Sequence, residues 1–151
     1  MGVWGIKIGD SDQVLDIFDD CCRNENYLQM ILNRKDIIYY NNMETVLCAI
    51  ALVDYSINGI IDNTIWSEYI LSDKEYMNSL KSFSNGKVRY DLLYDSIYKL
   101  DIIINCNQNW NNKEDETERK IIIKILYERL MKAAHDLDEY LTNRKENMKT
   151  N

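Results

Sequence analysis

The chain has 151 residues, 46 % of them apolar and 28 % charged, with a formal net charge of −7. This length suits one domain with one core, and the composition excludes a disordered tail. The negative balance argues against nucleic acid or an anionic membrane as a direct partner, and suits a basic protein instead.

No stretch of about 18 apolar residues offers a bilayer span. The opening Met1-Gly-Val-Trp-Gly-Ile-Lys lacks the basic start and apolar core of a signal peptide, so a cytoplasmic location is expected. Cys21, Cys22, Cys48 and Cys106 form no C-x-x-C pair and follow no secreted disulfide framework. They read as reduced thiols packed as small hydrophobes. One histidine and scattered cysteines do not make a zinc set.

Proline is absent, and three of the five glycines fall within the first nine residues, so helix interiors are left unbroken. Asp10-Ser11-Asp12 predicts the start of a first helix, with Val14, Leu15, Phe18 and Cys22 on one face. A short second helix follows over 25–33, with Tyr27, Leu28, Ile31 and Leu32 apolar. Ile37 to Tyr40 reads equally as a short strand or a buried linker. Asn41 and Glu44 resemble a capping pair before a third, most hydrophobic helix carrying Val46, Leu47, Ile50, Ala51 and Val53, which is expected at the centre. Asn58-Gly59 ends it.

Residues 62–71 and 73–83 predict two shorter helices. Residues 88–105 predict another, with Leu93, Ile97, Leu100 and Ile104 on its stripe, and 105–112 a polar loop around Trp110. The last helix is the longest. Glu114, Asp115, Glu116 and Glu118 sit at its start, where the helix dipole favours negative charge. Ile123, Leu126, Leu130, Ala133, Leu137 and Tyr140 keep a three-four spacing that packs against the domain or against a second copy. The sum is an all-α, single-domain bundle (1–151) of about six or seven helices. The Ile-rich runs leave room for a small sheet.

The sequence offers no catalytic or cofactor motif. The lone histidine, His135, lies beside the last helix's stripe with no nucleophile motif near it, and there is no phosphate loop, H-E-x-x-H or EF-hand pattern. Neither a cofactor nor a metal is expected. One cluster remains: Asp12, Asp16, Asp19 and Asp20 share the helix face opposite Val14, Phe18 and Cys21. Like charges four apart cost about 0.2–0.5 kcal/mol per pair. A face that accepts this cost is either simply solvated or kept for a basic partner. The eleven Tyr and three Trp suggest interface anchors, with Tyr39, Tyr40, Tyr76, Trp66 and Trp110 as candidates for partial exposure.

Met1-Gly2-Val3-Trp4-Gly5, then Asp10-Ser11-Asp12 and Leu15-Asp16, resembles an uncharacterised bacterial domain family opening MGxWGxxxFxNDxAxDW. Met1, Gly2, Trp4, Gly5, Asp10, Asp12, Leu15 and Asp16 agree with that pattern. Gly9, Ser11 and Ile17 depart from it, standing where Phe, Asn and Trp are usual. Fainter matches are Cys48 to Gly59, like the family's second helix, and Trp110. The resemblance implies an all-α domain of unassigned activity and supplies no catalytic residue. Gly2 and Gly5 around Trp4 suggest a tip folded back so that the indole plugs the core, with Asp10 and Asp12 capping the first helix.

The leading expectation is a non-enzymatic bacterial immunity protein, of contact-dependent inhibition or another polymorphic toxin system. It would neutralise a toxin domain, such as a nuclease with a basic phosphate cleft. Its contact carboxylates would be Asp12, Asp16, Asp19 and Asp20, with Glu114, Asp115, Glu116 and Glu118 as a second patch. The alternatives are a homo-oligomeric structural or regulatory module joined through the last helix, and an enzyme with a carboxylate or metal site at the Asp face.

Overall fold

The computed structural model describes residues 7–36, 40–84, 90–105 and 113–150, without the side chains of 40, 41, 84, 113–115, 149 and 150. Seven helices account for most of them: α1 (Asp12–Arg23), α2 (Glu25–Leu32), α3 (Tyr40–Asn58), α4 (Glu68–Leu71), α5 (Lys74–Ser84), α6 (Leu93–Ile104) and α7 (Lys113–Thr150). A 3₁₀ turn, Tyr90–Leu92, feeds α6. The all-α expectation holds, and no strand forms among the described residues. One parallel bridge, Ile8 with Trp66, is the sole β-type pairing described.

α3 is the axis of the bundle. Every residue from Met43 to Ser56 is buried, as befits a helix that is apolar around most of its circumference. It ends as expected, with Gly59 at φ +67 and its N–H on the Tyr55 carbonyl. α1, α2 and α5 pack on it, as do α6 and α7. A single core cluster extends from Ile8 to Ala134.

The polar residues buried on α3 explain how α7 is placed. Glu44 pairs with Arg119, and Asp54 with Arg129, at 3.2 Å in the second case. Each pair spans 75 residues of sequence, so α3 and α7 run in the same direction in a fixed register. Arg129 also holds Asp62 in the loop beyond α3. Glu44 is therefore turned into the core towards Arg119, which corrects its expected part in a capping pair. Burial pushes its carboxyl above the ordinary range, while the Arg119 charge and hydrogen bond pull it back. Asp54 is likewise raised by burial, and Asn58 and Arg129 work against the rise.

Residues 62–67 are not helical, which corrects the expected helix over 62–71. The Asp62 carboxylate takes the Thr64 N–H at 2.8 Å, a local turn that competes with a helix. Ile65 and Trp66 are then drawn inwards: Ile8 donates to the Ile65 carbonyl, and Ser67 to the Ile8 carbonyl, each at 2.8 Å. Trp66 is only 2 % exposed, a correction to its place among the exposed aromatics.

Asp10 belongs to this junction and not to the α1 cap. Its carboxylate accepts the Lys7 N–H and, at 2.6 Å, the Ser67 hydroxyl, while Ser67 in turn caps α4 through the Tyr69 N–H. Ser11 is the α1 N-cap residue, without a side-chain cap bond, and Asp12 opens the helix. Gly9, between Ile8 and Asp10, has φ +99, and a Cβ there would stand 2.5 Å from Ile70 Cδ1. An aromatic residue, usual at that position in the family pattern, does not fit this backbone.

Three further expectations are adjusted. α6 is shorter than 88–105 among the described residues, and Ile104 lies exposed, with Leu93, Ser96, Lys99, Leu100 and Ile103 forming the buried face. Lys99 reaches the Arg34 carbonyl beyond the end of α2 at 2.6 Å. On α7 the stripe is buried as far as Ala134 and half-buried at Leu137, but Tyr140 is exposed. The runs 101–104 and 121–123 are helical, so they form no sheet. The Trp4 plug, Tyr39, Cys106, Trp110 and the side chain of Tyr40 fall outside what is described.

Candidate protein-interaction surface

α1 packs on α3, buries Val14, Phe18 and Cys21, and turns Asp12, Asp16 and Asp20 outwards. Asp19 sits at the edge of that face, half-buried, where its Oδ1 accepts the Ser79 hydroxyl of α5 at 2.5 Å. The α1–α5 packing brings in two carboxylates that sequence spacing did not associate with α1, Asp73 and Glu75. Asp73 accepts the Tyr76 N–H at 3.0 Å and so begins α5.

Tyr76 marks where these charges meet. Burial and then the carboxylates of Asp73, Asp19, Asp16 and Glu75 all push its hydroxyl above the usual tyrosine range. The ring is held from below, edge-on to Phe18 at 5.7 Å between centroids, and Phe18 stands edge-on to Trp66 at 5.8 Å. A rigid aromatic column thus runs from the core to a half-exposed tyrosine among acids from two helices.

Beside it lies a cleft of about 390 Å³ lined by Asp19, Cys22, Arg23, Glu75, Asn78, Ser79 and Ser82. Arg23 is the cation in this lining. Burial, then Cys21 and the Asp19 carboxylate, push the Cys22 thiol well above its ordinary value, against the opposing Arg23 charge. The thiolate needed for nucleophilic work is therefore disfavoured at neutral pH. Cys21 and Cys48 are buried, and all three described cysteines are free thiols. Among the described residues no group of three or more His, Cys, Asp or Glu stands together to hold a metal ion.

The second acidic patch is a separate place. Glu116 pairs with Lys120 at 3.1 Å along α7. Glu118 is exposed and borders a depression of about 360 Å³ with Lys7, Asn63, Thr64, Ile121 and Ile122. The side chains of Glu114 and Asp115 lie outside the described residues. Asp16 and Asp19 therefore gather with Asp73 and Glu75, Asp12 and Asp20 share the outer face of α1, and the α7 acids do not join them. Asp73 and Glu75 escaped notice because acids in a first helical turn are ordinary. His135 is exposed.

No helix among the described residues is long and apolar enough to cross a membrane. Comparison with protein-family models, curated proteins and solved structures found no match to this chain.

Proposed function

We propose that this chain is a bacterial immunity protein that binds a toxin domain in the cytoplasm and neutralises it without catalysis. The contact surface is the acidic face of α1 with the α5 cleft. The observation that supports this reading most is the set of four carboxylates, Asp16, Asp19, Asp73 and Glu75, around the supported ring of Tyr76. A nuclease toxin presents a basic cleft to phosphate. A converging acidic surface steers association with such a cleft, and an aromatic side chain already fixed by packing loses little entropy on contact. The N-terminal resemblance agrees with a small all-α bacterial domain and adds no site residue.

The test is capture of the tagged protein's partner from its own host at low salt, with Asp16→Lys/Glu75→Lys as the control. The captured protein is then expressed in a second host. A basic protein that arrests growth, is relieved by the wild type, and is lost by the double variant supports the reading. A partner bound equally by the double variant, or one that is harmless, overturns it.

A second reading, a homodimer formed through the last helix, is favoured by one observation. Residues 138–148 of α7 are all exposed and include Tyr140, Leu141 and Met148.

A further inference from the structure

α7 has 38 residues, about 57 Å of helix, and outruns the elements that cover it. In the register set by Glu44–Arg119 and Asp54–Arg129, α3 ends at Asn58 level with Ala133. α6 starts opposite Asp138, whose Oδ1 accepts the Tyr94 hydroxyl at 2.6 Å. Beyond that point the helix is exposed. Yet Leu137, Leu141, Arg144 and Met148 continue, at three-four spacing, the stripe by which Leu126, Leu130 and Ala134 enter the core. Leu141 is 44 % exposed and Met148 71 %.

We propose that the same segment of a second copy covers this stripe, running antiparallel. This rests on the homodimer reading above and gives it a register. Charge decides the direction. Asp138 and Lys145 lie one heptad apart on the same flank of the stripe. A parallel pairing sets Asp138 beside Ala133 of the other copy and gains no charge pair. An antiparallel pairing centred near Leu141 and Thr142 sets Asp138 against Lys145 of the second copy, and two-fold symmetry makes that pair twice. Leu137 then comes level with Met148, and Leu141 with the aliphatic stem of Arg144, whose guanidinium still reaches water. Tyr94 orients the Asp138 carboxylate from its own body. The overlap of so few helical turns buries much less than the roughly 1,200–2,000 Å² of a stable interface. The dimer is therefore a weak one.

The experiment is sedimentation of the full chain at low salt, across about two decades of concentration around the micromolar range. The wild type is expected to dimerise as concentration rises. Asp138→Lys and Lys145→Glu each raise the dimer dissociation constant about tenfold. An equimolar mixture of the two variants regains dimer near the wild-type level, since each then supplies the charge that the other needs. Leu141→Asp abolishes the dimer and leaves the unfolding midpoint unchanged. A wild type that stays monomeric throughout overturns both the register and the homodimer reading. A dimer indifferent to Leu141→Asp overturns the stripe as its seat. Weakened single variants that do not recover on mixing overturn the antiparallel register alone, with the homodimer reading intact.

Discussion

The pair Glu44–Arg119 should be the most sensitive polar contact in the fold. Its side chains are 5 % and 3 % exposed, so neither charge has water to fall back on. Glu44→Leu takes away both the carboxylate and its acceptor oxygens and leaves the Arg119 guanidinium buried without its partner, and the loss of one partner from such a pair costs about 3–5 kcal/mol. Total stability for a domain of this kind is about 5–15 kcal/mol, so this one change should remove about a fifth of it or more. Replacing both residues, as Glu44→Leu/Arg119→Met, removes both desolvation penalties and keeps the volume. The double variant should recover most of the loss. Urea unfolding of the wild type, Glu44→Leu, Arg119→Met and the double variant, with the slope checked for constancy, gives the coupling directly. A Glu44→Leu cost under about 1 kcal/mol, or a double variant whose cost equals the sum of the singles, would refute a coupled buried ion pair.

Three other outcomes follow from local geometry. Gly9→Ala should cost about 1–3 kcal/mol in the same unfolding assay, because its φ of +99 and the closeness of Ile70 both resist a Cβ; an unchanged midpoint would show that the Ile8–Trp66 junction yields easily. Glu44 and Asp54 have carboxyls raised above ordinary values, chiefly by burial. The stability they contribute is fully present below the ordinary carboxyl range and is lost as pH rises through their raised folded values. Asp62 runs the other way. Burial opposes its charge, but the Thr64 N–H and Arg129 outweigh that and lower its carboxyl, so its contribution is lost at still lower pH. The unfolding midpoint should climb as pH falls from neutral towards the carboxylate range and then drop, with a smaller climb in Asp54→Asn; a steady fall from neutral pH contradicts the assignment. Cys22, with its thiol pushed up mainly by burial, should react with iodoacetamide at pH 8 far more slowly in the folded chain than in urea. Equal rates would mean an open thiol.

Helix existence and the buried faces were legible because periodicity is a local signal. Val14, Phe18, Leu28, Ile31, Leu126 and Leu130 are all buried where the three-four spacing puts them. Residues 62–67 misled because their fate is decided by contacts far along the chain. Ile8 pairs with Ile65 to Ser67, and Asp10 reaches Ser67, across 57 residues. Trp66, expected to be partly exposed, stands instead at the foot of the Phe18–Tyr76 column. The arginines of α7 read as ordinary charges on a long helix, since nothing near them in sequence announces Glu44 or Asp54. For the candidate surface, spacing revealed the α1 acids on one face. It could not reveal Asp73 and Glu75, which join Asp16 and Asp19 only through the packing of α5 on α1.

The central claim, that the α1–α5 carboxylates are a contact surface and not merely solvated, is tested most directly by binding to the partner recovered from the host. Its dissociation constant is measured by calorimetry at low and high salt, for the wild type and for Asp16→Lys/Glu75→Lys. Affinity for the wild type is expected to fall about tenfold or more as salt rises through the range in which the Debye length shrinks from about 10 to 3 Å. The double variant should bind weakly at every salt concentration. Affinity indifferent to both salt and charge reversal would make the acidic cleft an ordinary solvated face and not a contact surface.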